Sequence, residues 1–147
     1  MLARAGFEIT IDRPVEDVFA VLSNAENDPR YSSLVVEAHK TSPGPIGVGT
    51  TARLVSKMFG RRVENEWMVT EFEPNRTYAW QRTSGGAPLG GRMTFEEIDH
   101  RTRVTATIEA EPEGLLRFAG PLIATMGRRG FEKDLANLKN LMEARVL

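Results

Sequence analysis

The stretch Glu66-Trp67-Met68-Val69-Thr70-Glu71-Phe72-Glu73-Pro74-Asn75-Arg76-Thr77-Tyr78-Ala79-Trp80-Gln81-Arg82 decides the fold. Large apolar residues recur at every second position on both sides of Pro74-Asn75, and alternation broken by a Pro-Asn pair is the pattern of a β-hairpin. A two-residue turn at Pro74-Asn75 pairs Glu73 with Arg76. It also sets Glu71 opposite Tyr78, Val69 opposite Trp80 and Trp67 opposite Arg82. The large aromatics then share one face of the sheet, and Arg82 sits among them.

A second hairpin repeats the arrangement. With Asp99-His100 as the turn, Ile98 faces Arg101, Phe95 faces Val104 and Met93 faces Ala106. Thr94, Glu96, Arg103, Thr105, Thr107 and Glu109 fall on the opposite face. One apolar and one polar face mark an antiparallel sheet covered on one side. A two-residue slip in either hairpin keeps the same faces, so the faces are better determined than the pairs.

Strands are expected at about 35–41, 50–58, 61–72, 76–83, 91–98 and 101–111. A further strand opens the chain, where Phe7, Ile9 and Ile11 alternate with Glu8, Thr10 and Asp12. Pro14 then suits the first turn of a helix whose apolar stripe is Val15, Val18, Phe19 and Leu22, ending near Ser23-Asn24. Residues 30–34 are read as one short helical turn. At the other end, Phe131, Leu135, Leu138 and Met142 recur with helical spacing, and Pro121 fits a first turn. The main helix is therefore expected over 120–144, after an apolar lead-in at 114–119. Gly127 and Gly130 each weaken it by roughly 1 kcal/mol relative to alanine. No repeat, low-complexity tract or linker interrupts the chain, which reads as a single domain over 1–147.

The composition agrees. With 147 residues, 41% hydrophobic and 27% charged, the chain is too polar for a membrane protein and too apolar for a disordered one. It has no cysteine, which excludes disulfides, thiolate metal sites and cysteine nucleophiles. His39 and His100 are too few for a three-histidine metal site, so no metal and no cofactor are expected. A net charge of −1 gives no general attraction to nucleic acid. The N-terminal MLARAGFEIT lacks the apolar core of a secretory signal, and the longest mostly apolar stretch, 115–126, is broken by Arg117 and Pro121. A cytoplasmic location without stable membrane insertion is expected, with a homodimer as an option.

The order strand, helix, short helix, six strands, long helix is an α+β arrangement. At this level the chain resembles the START-like (SRPBCC) helix-grip superfamily, and within it the bacterial polyketide cyclase/dehydrase and lipid-transport group. The residues that carry the resemblance are Ile9-Thr10-Ile11-Asp12-Arg13-Pro14-Val15-Glu16-Asp17-Val18-Phe19 and Asn27-Asp28-Pro29-Arg30-Tyr31. They continue with Gly47-Val48-Gly49-Thr50, Val69-Thr70-Glu71-Phe72-Glu73-Pro74, and the hairpin from Phe95 to Thr102-Arg103-Val104-Thr105. The resemblance implies a curved seven-stranded antiparallel sheet wrapped around the long C-terminal helix, with two short helices after the first strand. Many relatives have Trp near position 31 or 32, where this chain has Tyr31 and Ser32. Many also have Gly where it has Arg101. The family shares no single catalytic motif, so no catalytic residue is carried over.

In such a fold the sheet and the long helix enclose a cavity. The expected lining is Asn65, Trp67, Val69, Tyr78, Trp80, Arg82, Met93, Phe95, Ala106 and Ile108 from the sheet, with Leu122 and Met126 from the helix. Val63 and Val104 share that face of the sheet as further lining candidates, and Phe131 of the helix also closes the cavity. Two readings stand for this set: a dry core, or a pocket for an apolar ligand. Arg82 and Asn65 are the informative exceptions on the apolar face. Arg82 opposite Trp67 is a cation against an indole, suited to an anionic or carbonyl-bearing ligand; otherwise it snorkels to water at the rim. Tyr31 is placed at the mouth or on the surface. His39 and His100 are weak leads, no Ser-His-Asp arrangement is legible, and Arg128-Arg129, Glu64/Glu66 and Glu96/Glu97 read as solvated charges. The apolar segments Met58-Phe59-Gly60 and Leu115-Leu116-Arg117-Phe118 are candidates for a lid, a dimer contact or a membrane touch-down point.

Three functions follow, in this order. The first is binding of a lipid, polyketide or isoprenoid, with Arg82, Asn65 and Tyr78 setting specificity. The second is a polyketide cyclase/dehydratase-type enzyme. The third is a protein-interaction module that uses the exposed apolar loops.

Overall fold

The computed structural model describes residues 3–58, 60–86, 88–111 and 120–147, with the backbone alone for 3, 58 and 120–127. The first strand, β1 (Ala3–Ile11), leads into helix α1 (Val15–Leu22) and a 3-10 helix (Ala25–Arg30). Six strands follow: β2 (Val35–Lys40), β3 (Thr51–Met58), β4 (Arg61–Glu73), β5 (Thr77–Ser84), β6 (Leu89–Ile98) and β7 (Arg101–Ala110). Helix α2 (Gly120–Glu143) closes the order. The strands form one seven-stranded sheet in the order β1-β7-β6-β5-β4-β3-β2, antiparallel throughout. This is the expected α+β helix-grip architecture: a curved meander, with β1 returning to pair with the last strand.

The hairpin at Asp99-His100 has the expected register, with Ile98 opposite Arg101, Phe95 opposite Val104 and Met93 opposite Ala106. Asp99 and His100 both have positive φ, 51° and 66°, as a two-residue type I′ turn requires. The other hairpin differs from expectation near its tip. Its turn has three residues, so Glu73 pairs with Thr77 rather than Arg76, and Glu71 faces Ala79 rather than Tyr78. The Arg76 N–H donates to the Glu73 carbonyl at 2.9 Å, and Asn75 has φ 63°. Pro followed by a positive-φ Asn is the signature of a type II turn. A bulge between Val69 and Glu71 then takes up the extra residue, restoring Val69 opposite Trp80 and Trp67 opposite Arg82.

The helical turn expected at 30–34 does not form: residues 31–34 are not helical, and the 3-10 helix lies upstream at Ala25–Arg30. The reason is Asn24, whose Oδ1 accepts the Glu26 N–H at 3.1 Å and caps the turn. The 3-10 helix ends at Arg30, where the Tyr31 N–H donates to the Asp28 carbonyl at 3.2 Å; beyond it, Ser32 Oγ accepts the N–H groups of Leu34 and Val35, both at 3.2 Å, at the entry to β2.

The core sits where α1 and the C-terminal half of α2 meet the sheet. Leu135, Leu138 and Met142 of α2 are fully buried against Ile11, Val18 and Val104, with Phe19 and Phe95 buried beside them. Phe19 meets Phe72 and Phe95 edge-on, with ring centroids 5.3 and 5.1 Å away. Arg13 locks this end. Its Nη1 donates to the carbonyls of Met142 (2.7 Å) and Leu147 (3.2 Å), and its Nε and Nη2 hold Asp17 Oδ2 at 3.2 and 3.0 Å. A guanidinium at the C-terminal end of a helix satisfies carbonyls that have no partner within it and complements the dipole. No helix among the described residues is long and apolar enough to cross a membrane.

Candidate ligand-binding face

Register places the inward side chains in rows across the sheet. One row is Phe72, Tyr78, Met93, Ala106 and Phe7, and the next is Val69, Trp80, Gly91, Ile108 and Ala5. Beyond it lie Arg82 and Trp67, then Asn65 with its β3 neighbour Leu54. Val69, Tyr78, Met93, Phe95 and Ala106 belong to the packed core. Trp80 and Ile108 are partly buried at its edge. Phe131 of α2 meets Phe7 edge-on at 5.4 Å and Trp80 at 6.2 Å, while Tyr78 stacks on Trp80 at 5.5 Å. One half of the inner face is therefore closed by protein. Leu122 and Met126, and the segments 58–59 and 115–118, lie outside the described side chains.

The other half carries polar groups. The Arg82 guanidinium carbon stands 5.1 Å from the centroid of the Trp67 ring. Burial holds Arg82 below its usual pKa. Such a pairing contributes roughly 0.5–2 kcal/mol and fixes the plane of the indole. Asn65, two residues away on β4, is buried. The turn after β5 closes against both. A Cβ on Gly85 would stand 2.3 Å from the Glu64 carbonyl oxygen and 2.8 Å from Asn65 Cα, and one on Gly86 would stand 2.4 Å from Arg82 Nη1. Between this group and the 3-10 helix, Trp67, Tyr78 and Trp80 border a cleft of about 30 Å³ with Ser23, Asn24, Thr50 and Ala52. That is room for about one water molecule.

A second set of polar groups was not singled out in the sequence. Asp28 Oδ1 accepts the Tyr31 hydroxyl at 2.9 Å. Burial pushes the Asp28 carboxyl up to about 7, with Asp134 adding repulsion against the pull of the Tyr31 hydrogen bond. Burial, then the charge of Asp28, also raises Tyr31 and Tyr78 above the usual phenol range. Asp134 of α2 is buried and accepts from Ser32 Oγ (2.8 Å), Ser33 N (3.2 Å) and Ser33 Oγ (3.4 Å). Asn137 Nδ2 donates to the Tyr31 carbonyl at 3.0 Å. Tyr31 is thus buried in the core, not at a mouth. Its segment and α2 border an outer groove of about 350 Å³, lined by Arg30, Lys133 and Asn140 among others. His39 and His100 are exposed, and no group of three metal-ligating side chains forms among the described residues.

No curated protein is a significant sequence match. Solved structures match in fold. An aromatase/cyclase, ZhuI from Streptomyces sp. R1128, superposes with a TM-score of 0.82 at 16% identity, covering 100% of this chain and 97% of that one. A protein from Thermus thermophilus gives 0.81 at 19%, covering 97% and 98%. A START superfamily protein from Mycobacterium smegmatis gives 0.76 at 14%, covering 98% and 97%. At these identities the likeness is one of fold. A family model described as polyketide cyclase / dehydrase and lipid transport matches residues 4–143. The paired hairpins, the returning first strand and the gripping helix thus accord with sequence: the chain belongs to the polyketide cyclase/dehydrase and lipid-transport family.

Proposed function

We propose that the protein binds a hydrophobic or amphipathic small molecule, of the lipid, polyketide or isoprenoid kind, between the inner sheet face and α2. The observation that carries this reading is the Arg82 guanidinium set over the Trp67 indole on the inner sheet face. A cation in that position suits a ligand with an apolar body and an anionic or carbonyl end. Apolar burial drives binding at about 25 cal/mol per Å², less the cost of association. Arg82, Asn65 and Tyr78 set specificity. The test is a tryptophan-fluorescence titration with decanoate, an isoprenoid alcohol and a polycyclic phenol. Saturable binding of at least one is expected, and Arg82→Met weakens decanoate about tenfold while leaving the alcohol nearly unchanged. Absence of binding by the whole panel overturns the reading.

A second reading, an enzyme of the cyclase/dehydratase type, is favoured by Asp28. A carboxyl poised near neutrality beside Tyr31 and Tyr78 is suited to moving protons at physiological pH. Turnover of a poly-β-ketone substrate that falls at least a hundredfold in Asp28→Asn supports it; unchanged turnover removes it.

A further inference from the structure

We propose that Asn65 and Trp67 together seat a hydroxyl group of the bound apolar molecule. This rests on the ligand-binding reading and names a second polar group of the ligand, beside the anionic or carbonyl end that faces Arg82. Asn65 is 6% exposed, yet its Oδ1 has no hydrogen-bond partner among the described residues. Two positions along the same inward face, the Trp67 Nε1–H is likewise buried and unpartnered. Buried polar atoms in native proteins are nearly always paired, so two orphans side by side on one strand require an explanation.

Their identities are complementary. Asn65 Oδ1 only accepts and Trp67 Nε1–H only donates. A hydroxyl satisfies both through one oxygen. With the Asn65 amide set as it is, Oδ1 inward, an ether or ketone satisfies Trp67 alone and leaves Oδ1 orphaned, and a carboxylate sets lone pairs against it. The surroundings hold the pair in place. Arg82 fixes the indole plane from 5.1 Å. Gly85 packs against the Asn65 backbone. Leu54 and Ala52, the β3 partners of Asn65 and Trp67, keep the neighbourhood apolar.

The test uses 2-naphthol, 2-methoxynaphthalene and naphthalene near pH 6, where the naphthol is neutral, with dissociation constants from calorimetry. The naphthol is expected to bind about tenfold more tightly than its methyl ether. Asn65→Leu brings that ratio within about twofold and raises Tm, because an unpartnered acceptor is removed from the interior. Asn65→Val serves the same purpose if the leucine does not fit, and the probe series on the unsubstituted protein decides by itself. If the probes bind but the naphthol and its ether bind alike, or if the preference survives in Asn65→Leu, the hydroxyl seat is overturned while the binding reading stands. If none of the probes binds, the hydroxyl seat is overturned, and the titration under Proposed function decides the wider reading.

Discussion

The indole of Trp80 lies across the backbone of Gly91, its partner on β6. A Cβ at Gly91 would stand 2.3 Å from Trp80 Cζ2 and 2.6 Å from Cη2. The missing side chain is what lets the ring lie flat enough to stack on Tyr78 and reach Phe131 of α2. Gly91→Ala therefore displaces the ring. The expected cost is roughly 1–3 kcal/mol by urea denaturation, the range for overpacking, with a changed near-UV dichroism. In a Trp80→Leu background the same substitution should cost less than half as much. Equal costs in the two backgrounds would contradict the contact.

Asp28 makes stability depend on pH. Its folded pKa of about 7 lies above the ordinary carboxyl value of 3.8, so the folded state keeps a proton that the unfolded state has released. Its contribution is fully present below about pH 4 and is lost as pH rises from 4 to 7. Asp28→Asn retains an acceptor for the Tyr31 hydroxyl but carries no charge. Relative to the parent, the variant should gain little at pH 4 and on the order of 2–4 kcal/mol at pH 8. A pH-independent difference between the two denaturation series would rule out the raised carboxyl.

Arg13 joins the β1–α1 junction to the end of α2 through the Met142 and Leu147 carbonyls. Its loss leaves the carbonyls of a helix end without these donors. Arg13→Ala should destabilise by roughly 1–3 kcal/mol. Arg128→Ala, which removes an exposed pair with Glu132, should cost less than about 0.5 kcal/mol. The comparison fails if the two substitutions cost the same.

Gly85 has φ +90° and packs on the Glu64 carbonyl, whereas a Cβ on Gly60, φ +77°, would meet nothing within 4 Å among the described residues. Both positions strain an alanine, but only Gly85→Ala must also move β4 at Asn65. It should cost at least about 1 kcal/mol more than Gly60→Ala and should weaken ligand binding as well. Unimpaired binding in a folded Gly85→Ala protein would show that this turn does not shape the site.

Much of this was legible in the alternation of side chains. At Asp99-His100 alternation fixes the faces, and the two-residue turn that the chain forms there gives the expected pairs. Pro74-Asn75 does not give the expected pairs near its tip, because the same dipeptide fits a two-residue turn or the centre of a type II turn. The bulge that restores Trp67 to Arg82 has no sequence mark at Thr70. Asn65 and Arg82 stood out as polar residues in an apolar phase. Asp28 and Asp134 did not: one lies in a polar segment beside Pro29, and the other stands next to Leu135, where the apolar stripe of α2 draws the eye only to Phe131 and Leu135. Residues 31–33, which follow the 3-10 helix, bond to Asp134 and Asn137 of α2, a long-range contact that local spacing does not encode.

The central claim is that the inner face takes up an apolar small molecule. Native mass spectrometry of the freshly purified protein tests it most directly. A folded species heavier than the 16.4 kDa chain, with the excess mass released as a small organic molecule on denaturation, is the predicted result. A species at the bare chain mass that takes up no fatty acid, isoprenoid alcohol or polycyclic phenol at saturating concentration would contradict it.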